Sequence, residues 1–243
     1  MILKIFFVFI QGYWGSKSSV NLEGYLLNYA KPFKNVIMES ENRDQQCRRI
    51  GDTDAMKSSI RKTTYEAIYR LTGMVSPIDG DCGALCGSIC CNYDGDNAVC
   101  AANGFEYGMY LLPGEEKMHW RNNSWLKWAA ENAQDYDFPE SWRGKAYFVR
   151  CNGPQSCIRR LRPIQCRTFP LAPHITDGRI LQMILHSEYL PYACPLIEQK
   201  KPLDERFVRA TYTVWKRLLK DPLIFDLVEM DSKRREPGIT VVR

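Results

Sequence analysis

Four cysteines packed into Cys82-Gly-Ala-Leu-Cys86-Gly-Ser-Ile-Cys90-Cys91, in a chain that holds ten, are the residues best placed to do chemistry. A second group follows at Cys151, Cys157, Cys166 and Cys194, while Cys47 and Cys100 stand apart and read as ordinary buried thiols. A thiolate is the ligand form of cysteine, and zinc or an iron–sulfur cluster takes four of them in a roughly tetrahedral array. A short loop that supplies several ligands, closed by others from far along the chain, is the usual way to build such a site. Metal chelation is the leading reading. Disulfide pairing, and buried or redox-active thiols, are the alternatives.

The glycines around the first group set its expected shape. Residues 82, 86 and 90 would share one face of a regular helix, but Gly80, Gly83 and Gly87 favour a coiled loop with at most one helical turn. Backbone N–H groups in such a loop can point at the sulfurs. The spacing is not the two-residue gap of zinc ribbons and fingers, nor the thioredoxin pair, nor the ferredoxin run. Adjacent Cys90 and Cys91 are expected to point apart, so one would ligate while the other packs or serves a second site.

Charge is distributed to match. From Asp79 to Asp96 there are four carboxylates and no Lys or Arg; from Arg150 to Arg167 there are five arginines and no carboxylate. Opposite signs favour the meeting of the two cysteine groups. Arg159, Arg160, Arg162 and Arg167 flank Cys157 and Cys166, where they could offset thiolate charge and lower the thiol pKa values. Solvated surface arginines are the plainer reading.

Elements that would hold these residues follow from periodicity and turn chemistry. Met56, Ile60, Ala67, Ile68 and Leu71 recur at helical spacing, with Thr53 or Asp54 as N-cap and Gly73 as the stop. Tyr107–Leu112, ended by Pro113-Gly114, reads as a strand, as do Lys145–Arg150 and Arg179–Leu185. Ser124 is a cap for a short helix over Trp125 to Asn132. Leu203, Phe207, Thr211, Val214 and Leu218 form a helical stripe begun by Pro202, and Asp221-Pro222 opens a final helix to Met230. The sum is an α+β fold with an irregular, cysteine-rich, metal-organised core, short strands and flanking helices. Residues 1–50 read as an N-terminal extension, 51–231 as the cysteine-cluster domain and 232–243 as a flexible tail.

At 243 residues the chain can bury a core without staples, and 45% hydrophobic with 25% charged residues is the composition of a globular protein. A net charge of +5 does not by itself call for a nucleic-acid partner. Met1–Ile10 is apolar, yet too short to span a bilayer. Lys4 interrupts it and no Ala-x-Ala cleavage site follows, so a buried strand is the preferred reading over a signal peptide. No later run has the length of a membrane helix. The expectation is a cytoplasmic protein with no membrane or nucleic-acid partner, in a compartment where thiols stay reduced.

With Cys157-Ile-Arg-Arg-Leu-Arg162-Pro163-Ile-Gln-Cys166-Arg167-Thr-Phe169 and Cys194-Pro195 in view, the chain resembles the YkgJ-like cysteine-cluster family, whose members are described as zinc- or iron-chelating domains. The spacing and the Arg-Pro, Cys-Arg and Phe elements agree with the family pattern over about residues 75–220. The first group differs, having three residues in each gap instead of two. A branch of the family shares this longer form together with the segment Gly108-Met-Tyr-Leu-Leu-Pro-Gly-Glu-Glu116. The resemblance implies Cys82, Cys86, Cys90, Cys91, Cys157, Cys166 and Cys194 as ligands of zinc or an iron–sulfur cluster, and Cys151 brings the set to eight. A related pattern in flagellin lysine-N-methylases implies a cluster-dependent enzyme as one alternative. A secreted, disulfide-stapled protein is another. An unidentified protein partner or substrate is compatible with either.

Other signals carry less. His119, His174 and His186 could each complete a mixed site, His174 foremost, but a lone histidine is more often hydrogen-bonded or at the surface. Asn92-Tyr-Asp-Gly-Asp-Asn97 fails as a calcium loop, since its glycine falls at the wrong step and no Glu stands at the twelfth position. Glu115-Glu116 reads as a solvated turn sooner than as a general base or extra ligand.

Overall fold

Two aspartates open the two longest helices among the described residues. The Asp204 carboxylate accepts from the backbone N–H of Arg206 at 2.7 Å and of Phe207 at 3.3 Å, capping the helix Glu205–Leu218. Asp221 does the same for the helix Pro222–Arg234, accepting from the N–H groups of Leu223 and Ile224 at 3.1 and 3.2 Å, with Pro222 in the first turn. Each cap satisfies donors that a helix start leaves orphaned and contributes about 1 kcal/mol. The stripe Phe207, Ala210, Thr211, Val214, Leu218 turns inward, as its spacing predicts.

The computed structural model describes residues 56–91, 108–119, 125–188, 190 and 192–243, all within one compact unit. The N-terminal extension and opening strand, the caps at Thr53, Asp54 and Ser124, Cys47, Cys100 and the Asn92–Asn97 stretch lie outside the described residues. We number the elements α1 (Lys62–Gly73), α2 (Gly83–Cys86), β1 (Met109–Tyr110), β2 (Leu126–Asn132), β3 (Lys145–Cys151), α3 (Ile164–Thr168), β4 (Leu171–Thr176), β5 (Ile180–Leu185), α4 (Pro195–Glu198), α5 (Glu205–Leu218) and α6 (Pro222–Arg234). The mixture of helices and short antiparallel strands is α+β, as the sequence implies.

One sheet runs β1-β3-β2, all antiparallel, with Met109 opposite Val149 and Leu126 opposite Cys151. Its central strand β3 is buried on both faces. Ala146 and Phe148 join the main core, while Tyr147 and Val149 join a second cluster with Leu111, Trp125 and Leu126. The other sheet is the hairpin β4–β5, closed at Asp177-Gly178, where both residues have positive φ, the geometry such a tight turn demands.

Two expectations are corrected, and one strand was not foreseen. Residues 126–132 are a strand and not a helix: Leu, Lys, Ala and Glu favour helix locally, but every residue of the segment pairs with β3, and Trp128 meets Tyr147 edge-on at 6.1 Å. Tertiary pairing overrides a weak local preference in so short a run. α1 starts at Lys62, not near residue 54, because Asp221 holds the chain before it: Oδ2 accepts from Ser58 Oγ at 2.9 Å, Ser59 N at 2.6 Å and Ser59 Oγ at 2.8 Å. β4, with prolines at 170 and 173, was not foreseen. It is tolerated because a two-stranded sheet is all edge.

Residues 232–243, expected to be a flexible tail, make specific contacts. α6 continues to Arg234, and the end of the chain then lines the open side of β5, with Leu185 N–H donating to Thr240 O at 2.9 Å and Val242 N–H to Met183 O at 2.8 Å. The reason is physical: β5 otherwise presents unpaired donors and acceptors. Among the described residues, no helix is long and apolar enough to cross a membrane.

Candidate metal centre

The first cysteine group folds as its glycines require. Cys82 leads into the single turn α2, and the chain then reverses through two left-handed residues, Gly87 (φ 62°) and Ser88 (φ 58°), before a 3-10 turn at Ile89–Cys91. Ser88 N–H closes the reversal on Gly83 O at 2.8 Å. A Cβ at Gly83 would stand 2.5 Å from Ser88 Oγ, so only glycine permits that approach. The sequence expectation of a coil with one helical turn holds.

The second group is joined to it by charge. Arg159 pairs with Asp81 at 2.8 Å, directly beside Cys82. This is the meeting that the opposite charges of the two stretches predict. The Arg159 guanidinium holds the Asp81 carboxyl below its usual range. Arg162 Nε donates to Cys157 Sγ at 3.0 Å. Arg167 has another task. It is buried, lies 4.3 Å over the Tyr69 ring, and donates to Tyr69 O at 3.2 Å and Thr72 Oγ1 at 3.1 Å. It clamps α3, which carries Cys166, onto α1.

Glu115 completes that clamp, and sequence reasoning misplaced it. Read as part of a solvated turn, it is wholly buried and accepts from Leu112 N–H at 3.1 Å, Ile164 N–H at 2.7 Å and Tyr69 Oη–H at 2.7 Å. Burial pushes its carboxyl pKa up while these donors oppose the rise. Tyr69 has one proton and gives it to Glu115, so His119 Nε2, 3.0 Å away, donates to the Tyr69 oxygen. Nothing in the local sequence signals this burial, since Glu115 follows a Pro-Gly turn with no periodic pattern.

Several sulfurs lie near others across the two groups. Cys90 lies within electrostatic reach of Cys91, Cys166 and Cys82; Cys166 within reach of Cys91, Cys151 and Cys157; Cys194 within reach of Cys86. Burial is the main reason that the thiols of Cys82, Cys151, Cys166 and Cys194 are pushed up. Backbone N–H groups partly offset this at Cys151, from Gly153, and at Cys194, from Leu196 and Ile197. Cys90 and Cys91 do not point apart as expected: their sulfurs are 3.8 Å from one another. One hydrogen bond joins the two thiols, and sharing it lowers Cys91 to about 7 and raises Cys90. Tyr192 also went unforeseen. Its buried hydroxyl lacks a hydrogen-bond partner and stands within reach of Cys90, Cys91, Cys166 and Cys194.

The fit to a metal is good in chemistry and incomplete in geometry. Eight free thiols with arginine and backbone donors are the soft, charge-compensated set that zinc or an iron–sulfur cluster takes. The 3.8 Å separation of Cys90 and Cys91 matches the edge of about 3.8 Å that a tetrahedron with zinc–sulfur bonds of about 2.3 Å requires. It is equally an ordinary contact between two sulfurs. Among the described residues, no three of His, Cys, Asp and Glu stand together as a ready ligand group. Cys166 Sγ instead rests 3.6 Å from Met109 Sδ. The histidines are engaged elsewhere: His119 with Tyr69, His174 3.4 Å from Arg235 Nη1, and His186 beside Phe169. Comparison with protein-family models, curated proteins and solved structures finds no match.

Proposed function

We propose that this protein chelates a metal, either zinc or an iron–sulfur cluster, through thiolates drawn from Cys82, Cys86, Cys90, Cys91, Cys151, Cys157, Cys166 and Cys194. The observation that carries the reading is the proximity of sulfurs from separate stretches: Cys90 and Cys91, 3.8 Å apart, lie near Cys166, and Cys91 lies near Cys151. Arg162 at the Cys157 sulfur supports it, because a cation placed there offsets the negative charge of a thiolate-ligated centre. Metal entry would draw the sulfurs from separated contacts into one coordination shell and order the glycine-rich loop as it did so. On this reading the core is metal-organised and the protein is a cytoplasmic relative of the YkgJ-like cysteine-cluster domains.

Purification without oxygen, followed by elemental analysis and a visible spectrum, tests the reading. Stoichiometric zinc in colourless protein supports a zinc site; stoichiometric iron and sulfide with visible absorbance supports a cluster. In the iron case Cys166→Ser bleaches the chromophore. Folded protein that carries neither metal, and takes up neither on reconstitution, overturns the proposal.

A further inference from the structure

Between the β4–β5 hairpin and helices α5 and α6 lies a cavity of about 50 Å³ whose walls include His186, Trp215, Asp231 and Arg235. None of the cysteines lines it among the described residues, so it is separate from the candidate metal centre. A water needs about 10–15 Å³ of such space, which leaves room for about three to five waters or a guest of about five non-hydrogen atoms.

Unmet hydrogen bonds distinguish this cavity from a packing gap. His186 is 7% exposed and Trp215 is 4% exposed, yet among the described residues the Nε1 of Trp215 lacks a hydrogen-bond partner, and the His186 ring, which leans on the backbone of Glu188, leaves a nitrogen unmet. Buried polar atoms in native proteins almost always have a partner, from protein or water. Here an unpartnered donor and an unpartnered acceptor belong to two residues that line one cavity. Burial also holds the imidazole neutral, its pKa pushed down to about 3, so one nitrogen carries a proton and the other a lone pair.

Charge at the wall limits what can enter. Arg235 Nε is 3.3 Å from Glu188 Oε1, its Nη1 donates to Pro173 O at 2.8 Å, and Asp231 lines the same space with its own partner. An anionic guest would face the Asp231 carboxylate and a cationic guest the Arg235 guanidinium, each already held by a partner. A neutral head is the only kind that neither side repels. Phe169, Leu171, Ala172, Leu227 and Val228 make most of the remaining wall apolar, beside Gln165 and Thr168, and suit a short aliphatic body.

We propose that this cavity binds a small neutral aliphatic molecule with a primary amide head, whose carbonyl accepts from Trp215 Nε1–H while its N–H donates to the unprotonated nitrogen of His186. An amide carries its acceptor and donor on separate atoms. That suits two rings borne by different elements, α5 and the end of β5.

Titration of ¹⁵N-labelled full-length protein with propionamide tests the proposal, with propionate and propylammonium as charged probes of the same size. The Trp215 indole N–H signal is assigned by its loss in Trp215→Phe. Propionamide is expected to shift that signal saturably at millimolar concentration while the two charged probes do not. Trp215→Phe is expected to weaken binding at least tenfold, followed on the His186 ring signals. If the variant fails to fold, the comparison of probes on the wild-type protein decides. Absence of a saturable shift, which would leave the cavity to water, overturns the proposal; so does equal binding of a charged probe, or a response confined to other indoles.

Discussion

Glu115→Ala removes the acceptor of three buried donors at once: Leu112 N–H, Ile164 N–H and Tyr69 Oη–H. Each donor left unmet in the interior costs about 1–3 kcal/mol. The sum is about 3–9 kcal/mol, and two effects reduce it. The wild-type carboxylate is itself opposed by burial, which raises its pKa, and water entering the vacated space can serve one donor or more. We expect a loss of about 3–5 kcal/mol, a large fraction of the 5–15 kcal/mol typical of a domain. Glu115→Gln keeps one acceptor oxygen and should lose about half as much. Urea unfolding followed by tryptophan fluorescence measures both. The same substitution frees the start of α3, so alkylation of Cys166 in the native protein should accelerate in Glu115→Ala. A variant within about 1 kcal/mol of wild type, with Cys166 still slow to react, would refute the assignment of Glu115 as the residue that holds α3.

Three further outcomes are expected. Asp221→Ala strips the cap from α6 and frees Ser58 and Ser59 together, and should cost more than the ~1 kcal/mol of an ordinary cap; a urea midpoint shift no larger than that would contradict the double role. His119 and His186 are held neutral in the fold, their pKa values lowered to about 4 and about 3 chiefly by burial, below the ~6.5 of an unfolded histidine. Their contribution is therefore present above pH ~6.5 and lost as pH falls toward those folded values, each taking up a proton on unfolding; urea midpoints that stay flat from pH 7 to pH 4 would count against it. Truncation after Pro237 uncovers the β5 edge and should promote self-association, which light scattering would show; a truncated chain that stays monomeric would mean the edge is otherwise protected.

What local sequence could announce, it announced. Asp221-Pro222 opens its helix because a carboxylate and a fixed φ act within one turn, whereas α5 starts at the Asp204 cap and not at Pro202 as expected. The apolar stripe of α5 lies inward because its spacing leaves no other face. The opposed charges of the two cysteine stretches meet as Asp81 and Arg159. Each of these depends on neighbours in the chain or on simple attraction. Residues 126–132 show the limit, since their helical composition was outweighed by pairing with a strand that local pattern does not specify.

The candidate site divides along the same line. Residue type and spacing alone determined which sulfurs are available and that glycine must bend the loop between them. Only the tertiary structure decided that Glu115 is buried under Tyr69 and Ile164, that Arg167 clamps α1 while Arg162 serves the Cys157 sulfur, and that Cys90 and Cys91 turn toward each other. Those outcomes rest on which surfaces exclude water and which donors then lack partners, and both are properties of the assembled chain rather than of any segment of it.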